Sequence, residues 1–230
     1  MKYLIFSDTH LSSYSFDLAK FKKLVAVISQ ADQVIINGDF FDGYLCSFAD
    51  FVQSPWAKLF PLLKRKHAIY IYGNHDRPEY MDERVTEFSV EQTYRKELHL
   101  GKQQIVVQHG HNFAPDFDGR FPSISYYLAW FYPRYFYHEQ NKTLLNRFVL
   151  SYYVANKNKF IQAEMKNSIK FLKRRNLNLA PEWFICGHSH ISEFDDKLRF
   201  VNCGQFSNGV AQYASIDATG EISLVLDTYC

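Results

Sequence analysis

The sequence has few cysteines and no CxxC pair: Cys46, Cys186, Cys203 and Cys230 are scattered along 230 residues. Two of them lie in apolar, strand-like runs, so we expect reduced core thiols and no disulfide framework. The chain opens without a basic segment that leads into an apolar run, and no stretch of about 18 consecutive apolar residues occurs. These absences argue against a secreted or membrane-spanning protein and predict a cytoplasmic one.

The sequence also lacks internal repeats, low-complexity segments and a strong excess of charge of one sign, since the net charge is +2. The sequence therefore gives no indication of a repeat array. A hydrophobic content of 47% is ample for a core. The length suits one large α/β domain or two small ones.

One unit recurs along the chain: a short β-rich run followed by a polar cluster of Gly, Asp, Asn or His. Runs of four or five apolar residues rich in Ile, Val, Tyr and Phe are typical of strands that are covered on both faces. The instances are KYLIF before SDTH, QVII before NGDFFDG, AIYIY before GNHD, QIVVQ before HGH, and EWFIC before GHSH.

Helical spacing separates the first three strands. FDLAKFKKLVAVISQ repeats apolar residues three and four apart, and FADFVQSPWAKLFPLLKRK does so more loosely, interrupted by Pro55 and Pro61. Alternating strands and helices predict a parallel sheet with right-handed crossovers. The C-terminal AQYASID and EISLVLDTY, joined around ATGE, predict an antiparallel hairpin. Ligands of open α/β sheets collect at the carboxyl ends of strands, where the polar clusters lie.

The clusters together supply a mixed oxygen and nitrogen donor set. Seven side chains are too many for one tetrahedral ion and suit two ions that share a carboxylate. Such donors favour divalent Mn, Fe, Zn, Co or Ni over thiol-loving metals, with manganese the first candidate. The predicted ligands are Asp8, His10, Asp39, Asn74, His109, His188 and His190.

Each motif alone also has a structural interpretation. Asp8 could cap the helix that begins near Phe16, and Asp39 with Asp42 could form a solvated turn. Asn74 with its neighbour could form another turn. His111 is close to the site but has no needed place among the ligands. The ordered combination of motifs is what favours a metal site.

That combination resembles the calcineurin-like metallophosphoesterase superfamily, whose signature runs D-x-H, GDxxD, GNH(D/E), H-G-(H/D) and finally G-H-x-H. The match covers residues of about 4–110 and 184–205, in order. The resemblance implies a single domain over residues 1–230 with the superfamily's four-layer α/β/β/α sandwich. It also implies that Asp8, His10, Asp39 and His190 hold one metal ion, and that Asp39, Asn74, His109 and His188 hold a second.

The reaction implied by the resemblance is two-metal hydrolysis, in which a metal-bound hydroxide attacks phosphorus in line. His75, next to Asn74, is the candidate catalytic residue, as a proton donor to the leaving group or a partner of the phosphoryl oxygens. Asp42 or Asp76 is expected to orient His75 or a metal ligand.

The connection between HGH and GHSH is the most informative feature outside the motifs. Residues 119–180 contain eleven Lys or Arg, two Glu and fourteen aromatic residues. Apolar spacing over this range predicts a helical insert with basic faces. The aromatics could be the small core of the insert. Alternatively, the insert is a lid over the metal site or rests on an anionic membrane surface, which would place the protein peripherally at the inner membrane face.

The substrate stays open among several classes. FFDGY and GNHD differ from the Arg-Gly and GNHE of the superfamily's protein phosphatases, which argues against a phosphoprotein substrate. The insert is similar to that of the UDP-2,3-diacylglucosamine hydrolases, which cleave a pyrophosphate bond in a nucleotide lipid; those enzymes commonly have HGD, and many have Arg at the position of His75. The alternatives are a nuclease, a small-molecule or cyclic-nucleotide phosphodiesterase, and a non-catalytic, metal-stabilised interaction scaffold.

Overall fold

The computed structural model describes residues 1–112 and 183–230, and two β-sheets make up most of this part of the chain. The predicted insert at 119–180 lies outside the described residues. The strands are β1 (Tyr3–Phe6), β2 (Gln33–Asn37), β3 (Ile69–Ile71), β4 (Glu91–Thr93), β5 (Lys96–Leu100), β6 (Gln103–Val107), β7 (Trp183–Cys186), β8 (Ser192–Asp195), β9 (Phe200–Cys203), β10 (Val210–Ile216) and β11 (Ile222–Thr228).

The first sheet has the order β11-β10-β1-β2-β3-β4, and the second has the order β5-β6-β7-β9-β8. Strands β1 to β4 are parallel, as their helical crossovers predict. Strands β10 and β11 form the predicted antiparallel hairpin, whose register aligns Ile216 with Ile222. In the second sheet β6, β7 and β9 run parallel, so the carboxyl ends of β6 and β7 lie at the same edge.

The helices cover one face of the first sheet. Helix α1 (Leu18–Ser29) begins at Asp17, whose side chain accepts a hydrogen bond from the Lys20 amide. The second predicted helical stretch is divided, because its prolines interrupt the pattern: α2 (Phe48–Val52), a 3₁₀ turn (Pro55–Leu59) that starts on a proline, and α3 (Phe60–Arg65). Two further 3₁₀ turns are Pro78–Tyr80 and Glu83–Glu87.

Strand β1 is buried on both faces, and this burial explains why its sequence is apolar throughout. Leu4 and Phe6 pack in the core between the first sheet and the helices, whereas Tyr3 and Ile5 pack in the core between the two sheets. Alternate residues of a strand point to opposite faces, so a strand buried on both faces needs an unbroken apolar run.

The predicted α/β class with two packed sheets is confirmed. The described residues form a helical layer and two sheets. Cys46, Cys186 and Cys203 are free and buried, and Cys230 is free and exposed. None of the described helices has the length and apolar character needed to cross a membrane.

Replacing Ile35 by Ala tests the core between the sheets. Ile35 is fully buried in β2, so we expect the free energy of unfolding to fall by about 2–5 kcal/mol through lost burial and a cavity. Urea denaturation measures this change. Leu226→Ala, on the edge strand β11, is the control and should change stability little, because Leu226 is 64% exposed. Equal effects of the two substitutions would contradict this account of the core.

Candidate metal centre

The predicted ligands lie on five loops that leave the carboxyl ends of strands in both sheets. Asp8, Asp39, His109 and His188 each stand two residues after the end of β1, β2, β6 and β7, respectively. Asn74 stands three residues after β3. Because the sheets pack face to face, loops from both meet at one edge.

One group of donor atoms combines the first loop with the last. Single ligand atoms of Asp8, His10 and His190 all lie within 4.8 Å of one another. The Nε2 atoms of His10 and His190 are 3.3 Å apart, and the second also lies 3.1 Å from Oδ1 of Asp8. This group contains three of the four ligands that the sequence predicts for the first ion.

A second group lies beside it. Single ligand atoms of Asp39, His109 and His188 also lie within 4.8 Å of one another. The side-chain oxygen of Asn74 is 3.2 Å from Nε2 of His109 and 3.1 Å from Nδ1 of His188. These residues are the four ligands that the sequence predicts for the second ion.

Asp39 connects the two groups. Its Oδ2 atom lies 3.3 Å from Nε2 of His109 and 3.9 Å from Nε2 of His10. Its other oxygen accepts a hydrogen bond of 3.0 Å from the His75 amide. The structure therefore brings all seven predicted residues together, with the Asp39 carboxylate between the two clusters.

The backbone at these loops is strained. Five of the seven residues have a left-handed backbone with positive φ: Asp8 (55°), His10 (46°), Asp39 (54°), His188 (67°) and His190 (57°). Only a few per cent of non-glycine residues adopt this conformation, at a cost of about 1 kcal/mol or more each. Such strain persists where the surrounding structure imposes it, and it is concentrated at functional sites.

Two glycines allow the loops to approach closely. A Cβ atom on Gly187 would lie 2.2 Å from Oγ of Ser7 and 2.5 Å from Oδ2 of Asp8. A Cβ atom on Gly38, where φ is +82°, would lie 2.4 Å from Nδ1 of His109. No side chain fits at either position, so glycine is required there by space and not only by flexibility.

Backbone hydrogen bonds and neighbouring histidines determine the tautomer of His109 and the ionisation of Asp8. Nδ1 of His109 donates to the carbonyl of Asn37 at 2.8 Å, so in the neutral ring Nε2 carries the lone pair and faces the site. Oδ2 of Asp8 accepts from the His188 amide at 3.0 Å. Burial opposes ionisation of Asp8, but His190 and His109 outweigh it and lower the pKa of its carboxyl to about 2.

His75 and Asp42 form a pair beside the first group. Nδ1 of His75 lies 3.1 Å from Oδ1 of Asp42, and Nδ1 of His10 lies 3.5 Å from the other oxygen. The expectation that Asp42 orients an imidazole therefore agrees with its contacts. Burial opposes a charge on His75, but Asp42 and Asp39 outweigh it and raise the pKa of the ring to about 10.

Asp76 is hydrogen-bonded to the main chains of the Asp39 and Asn74 loops. Its carboxylate accepts hydrogen bonds from the amides of Phe40 and Gly73, both at 2.7 Å, and from the hydroxyl of Tyr70. Burial, with the nearby charge of Asp39, raises the pKa of Asp76 to about 6. Asp76 thus joins the Asp39 loop to the Asn74 loop through their main chains.

Sequence reasoning missed Asn202, which is fully buried in β9. Its amide donates to the carbonyl of Gly187 and to Oγ of Ser189, both at 2.9 Å, and its oxygen accepts from the amide of Gly204 at 3.0 Å. It therefore holds the GHSH loop in place. A single polar residue inside an apolar run was the only signal in the sequence.

Lys20 was also missed as a part of the site, whereas His111 was expected near the site without a place among the ligands. Lys20 is buried in α1 and donates to the carbonyl of Thr9, between two predicted ligands; burial lowers its pKa to about 8. The His111 ring lies 5.5 Å from that of His109. Burial, with His109 and His188, lowers the pKa of His111 to about 3, so the ring is neutral at pH 7.

Residues 1–192 match the family model described as calcineurin-like phosphoesterase. The chain belongs to this family. It is accordingly a metal-dependent hydrolase of phosphoesters, and the family uses divalent metals. The predicted superfamily is thereby confirmed.

Comparisons with individual proteins are more distant. No curated protein matches the chain significantly. Among solved structures, an archaeal phosphodiesterase has 17% identity and a TM-score of 0.49, covering 98% of this chain and 99% of its own. The phosphoesterase Yfce from E. coli has 17% identity and a TM-score of 0.45, covering 98% of each chain. Vps29 from Entamoeba histolytica, complexed with zinc, has 13% identity and a TM-score of 0.47, covering 99% of each.

The ligand atoms of this phosphoesterase are arranged better for binding divalent cations than for hydrogen bonding with one another. Oδ1 of Asp8 is buried and accepts no hydrogen bond within the part of the chain that the structure describes, although an imidazole nitrogen of His190 lies 3.1 Å away. Two imidazole nitrogens face the single oxygen of Asn74. A cation among these atoms would satisfy lone pairs that hydrogen bonds leave unmatched.

Gly187→Ala tests the crowding of the centre. The added methyl group would collide with Ser7 and Asp8, so we expect affinity for divalent ions to fall at least tenfold, as when supports of metal ligands are lost. Titration calorimetry with Mn²⁺ measures the change. Gly101→Ala is the control, because no atom lies within 4 Å of the added carbon and the strain of an alanine at a φ of +60° falls on the β5–β6 turn and not on a loop of the centre. Unchanged affinity in Gly187→Ala would contradict the proposed geometry.

Proposed function

We propose that this phosphoesterase hydrolyses a phosphodiester or pyrophosphate bond with two divalent ions that share the carboxylate of Asp39. The observation that carries the proposal is the position of Oδ2 of Asp39 between Nε2 of His109 and Nε2 of His10. A carboxylate between two clusters of donors is what a dinuclear centre requires.

The ligands are assigned from the two clusters. Manganese is the first candidate for both ions, and Fe, Zn, Co and Ni suit the same donors. One ion would be held by Asp8, His10, Asp39 and His190, and the other by Asp39, Asn74, His109 and His188.

Divalent ions bound at this centre supply positive charge to the phosphoryl oxygens and lower the pKa of coordinated water. The protein's own contribution is to keep the donors in position before substrate arrives. The constrained backbone, the hydrogen bonds that Asn202 donates and those that Asp76 accepts do this, so little reorganisation accompanies the reaction.

His75 is proposed to protonate the leaving group. Asp42 accepts a hydrogen bond from Nδ1, which leaves Nε2 to carry the transferable proton. The ring stands edge-on to that of His10 at 4.6 Å, next to the first group of ligands, and is partly exposed to solvent. The raised pKa is consistent with a protonated ring at pH 7.

We expect His75→Ala to lower kcat on bis-p-nitrophenyl phosphate by about 100-fold or more, because general acid catalysis is lost. Elemental analysis of the Mn-loaded variant should still find two ions. His99→Ala, on an exposed strand position, is the matched control. Loss of one metal equivalent would instead make His75 a ligand, consistent with the proximity of its ring to His10 and Asp39, and would overturn the assigned role.

For the natural substrate we propose a nucleotide lipid of the UDP-2,3-diacylglucosamine type. The support is the basic and aromatic composition of residues 119–180, which suits a lid over an anionic, lipid-bearing substrate or a contact with a membrane surface. Nucleic acid and cyclic nucleotides are the competing substrates, since a basic, aromatic segment also suits a phosphate backbone and its bases.

A substrate panel tests the reaction class and the substrate separately. We expect the Mn-loaded protein to hydrolyse bis-p-nitrophenyl phosphate faster than the monoester p-nitrophenyl phosphate, and to lose activity on a UDP-linked lipid when residues 119–180 are shortened. Preference for the monoester would refute the diesterase proposal. Faster turnover of single-stranded DNA or a cyclic nucleotide than of the lipid would refute the lipid assignment alone.

A further inference from the structure

An open pocket of about 460 Å³ adjoins the metal centre. This volume is within the range of small-molecule sites. The described residues that line it combine a cation, a carboxylate, an amide, an imidazole and two phenol rings: Arg77, Glu79, Tyr80, Tyr94, His111 and Asn112. No part of the reaction proposed above uses any of them.

Residues that line the pocket lie beside residues of the site on two sides. Nε of Arg77 donates to the main-chain carbonyl of the predicted ligand Asn74 at 3.2 Å. On the other side, the Tyr44 ring lies 4.3 Å from His75 and 6.2 Å from Tyr80. A substrate whose phosphorus is at the metal centre can therefore extend one of its substituents into this pocket.

Arg77 is positioned to bind an anion. Its Nε is fixed by Asn74, and no carboxylate among the described residues lies within ion-pair distance of its guanidinium. A guanidinium held at one end offers its outer N–H groups in a planar fork, which matches phosphate oxygens. This position suits the phosphate next to the substituent.

The rest of the pocket suits a polar ring system and not a second anion. Glu79 would repel an anion but accepts hydrogen bonds from hydroxyl or ring N–H groups. Asn112 both donates and accepts. Tyr94 is 48% exposed and rests on Tyr72 at 5.3 Å, so its ring is supported and open to stacking.

His111 provides independent evidence for a bound polar molecule, because one of its ring nitrogens needs a hydrogen-bond partner. Its Nδ1 atom is buried and has no hydrogen-bond partner among the described residues. Unpaired buried polar atoms are costly and uncommon in native proteins. A polar group of a bound molecule in the pocket that His111 lines would remove this cost.

We propose that this pocket binds the nucleoside of a nucleotidyl substrate, with Tyr94 stacking on the base, Glu79 and Asn112 pairing with its polar groups, and Arg77 on the adjoining phosphate. The inference rests on the proposed hydrolysis of a phosphodiester or pyrophosphate bond. It adds the residues that select the substrate.

Two esters with the same leaving group test the proposal on the Mn-loaded full chain. Thymidine 5′-(p-nitrophenyl phosphate) carries a nucleoside, and methyl p-nitrophenyl phosphate does not. We expect a higher kcat/KM for the nucleotidyl ester, and a fall of about tenfold in the ratio of the two values in Tyr94→Leu and in Glu79→Gln, as expected for loss of base stacking or pairing. Glu221→Gln, an exposed carboxylate on the β10–β11 turn, is the control and should keep the ratio.

Binding of thymidine 5′-monophosphate, measured by titration calorimetry, separates this inference from the hydrolysis itself. Nucleotide affinity that falls in Tyr94→Leu would support the pocket even if neither ester is cleaved, which would count against the hydrolysis alone. Equal kcat/KM for the two esters, with unchanged ratios in both variants, would overturn the nucleoside pocket while leaving the diesterase proposal intact.

Discussion

The carboxylate of Asp39 is the constraint on which the rest of the centre depends. It is almost fully buried, and each of its oxygens faces a different part of the site: one the imidazoles of His10 and His109, the other the amide of His75. A buried carboxylate is stable only beside compensating positive charge. Burial opposes its ionisation, yet the surrounding imidazoles hold its pKa well below the usual range, so the fold keeps a negative charge where cations are needed.

The fold stabilises this arrangement at a distance from the ligands. The inter-sheet core fixes the two sheets relative to each other, and buried polar groups then hold the loops: Asp76 joins two loops of the first sheet, and Asn202 holds the GHSH loop of the second. Left-handed backbone at five of the seven candidate ligands carries a conformational cost that packing elsewhere offsets. A rigid centre of this kind reduces the reorganisation that catalysis would otherwise need.

The motifs made the family and the candidate ligands predictable, because each motif is a few residues long and follows directly on its strand. The helix from near Phe16, the broken helix around Pro55 and Pro61, and the C-terminal hairpin were also readable from apolar spacing and turn residues. Strands β4, β5 and β8 were not predicted, since KELHL and SEFD are polar and short, and their pairing depends on neighbours far away in the sequence. Asn202 and Arg77 were missed for the same reason: their roles come from contacts and not from a local pattern.

By itself the sequence determined which donors the chain supplies: Asp, His and Asn after apolar runs form a set that suits divalent ions, and the order of the motifs carries the resemblance to the metallophosphoesterases. Only the tertiary structure decided that Asp42 contacts two imidazoles, that Asp76 and Asn202 hold the loops of the centre, and that a polar, tyrosine-lined pocket adjoins the site. The physical reason is distance along the chain. Side-chain periodicity acts over a few residues, whereas His188 meets Asn74 across 114 positions through the packing of two sheets.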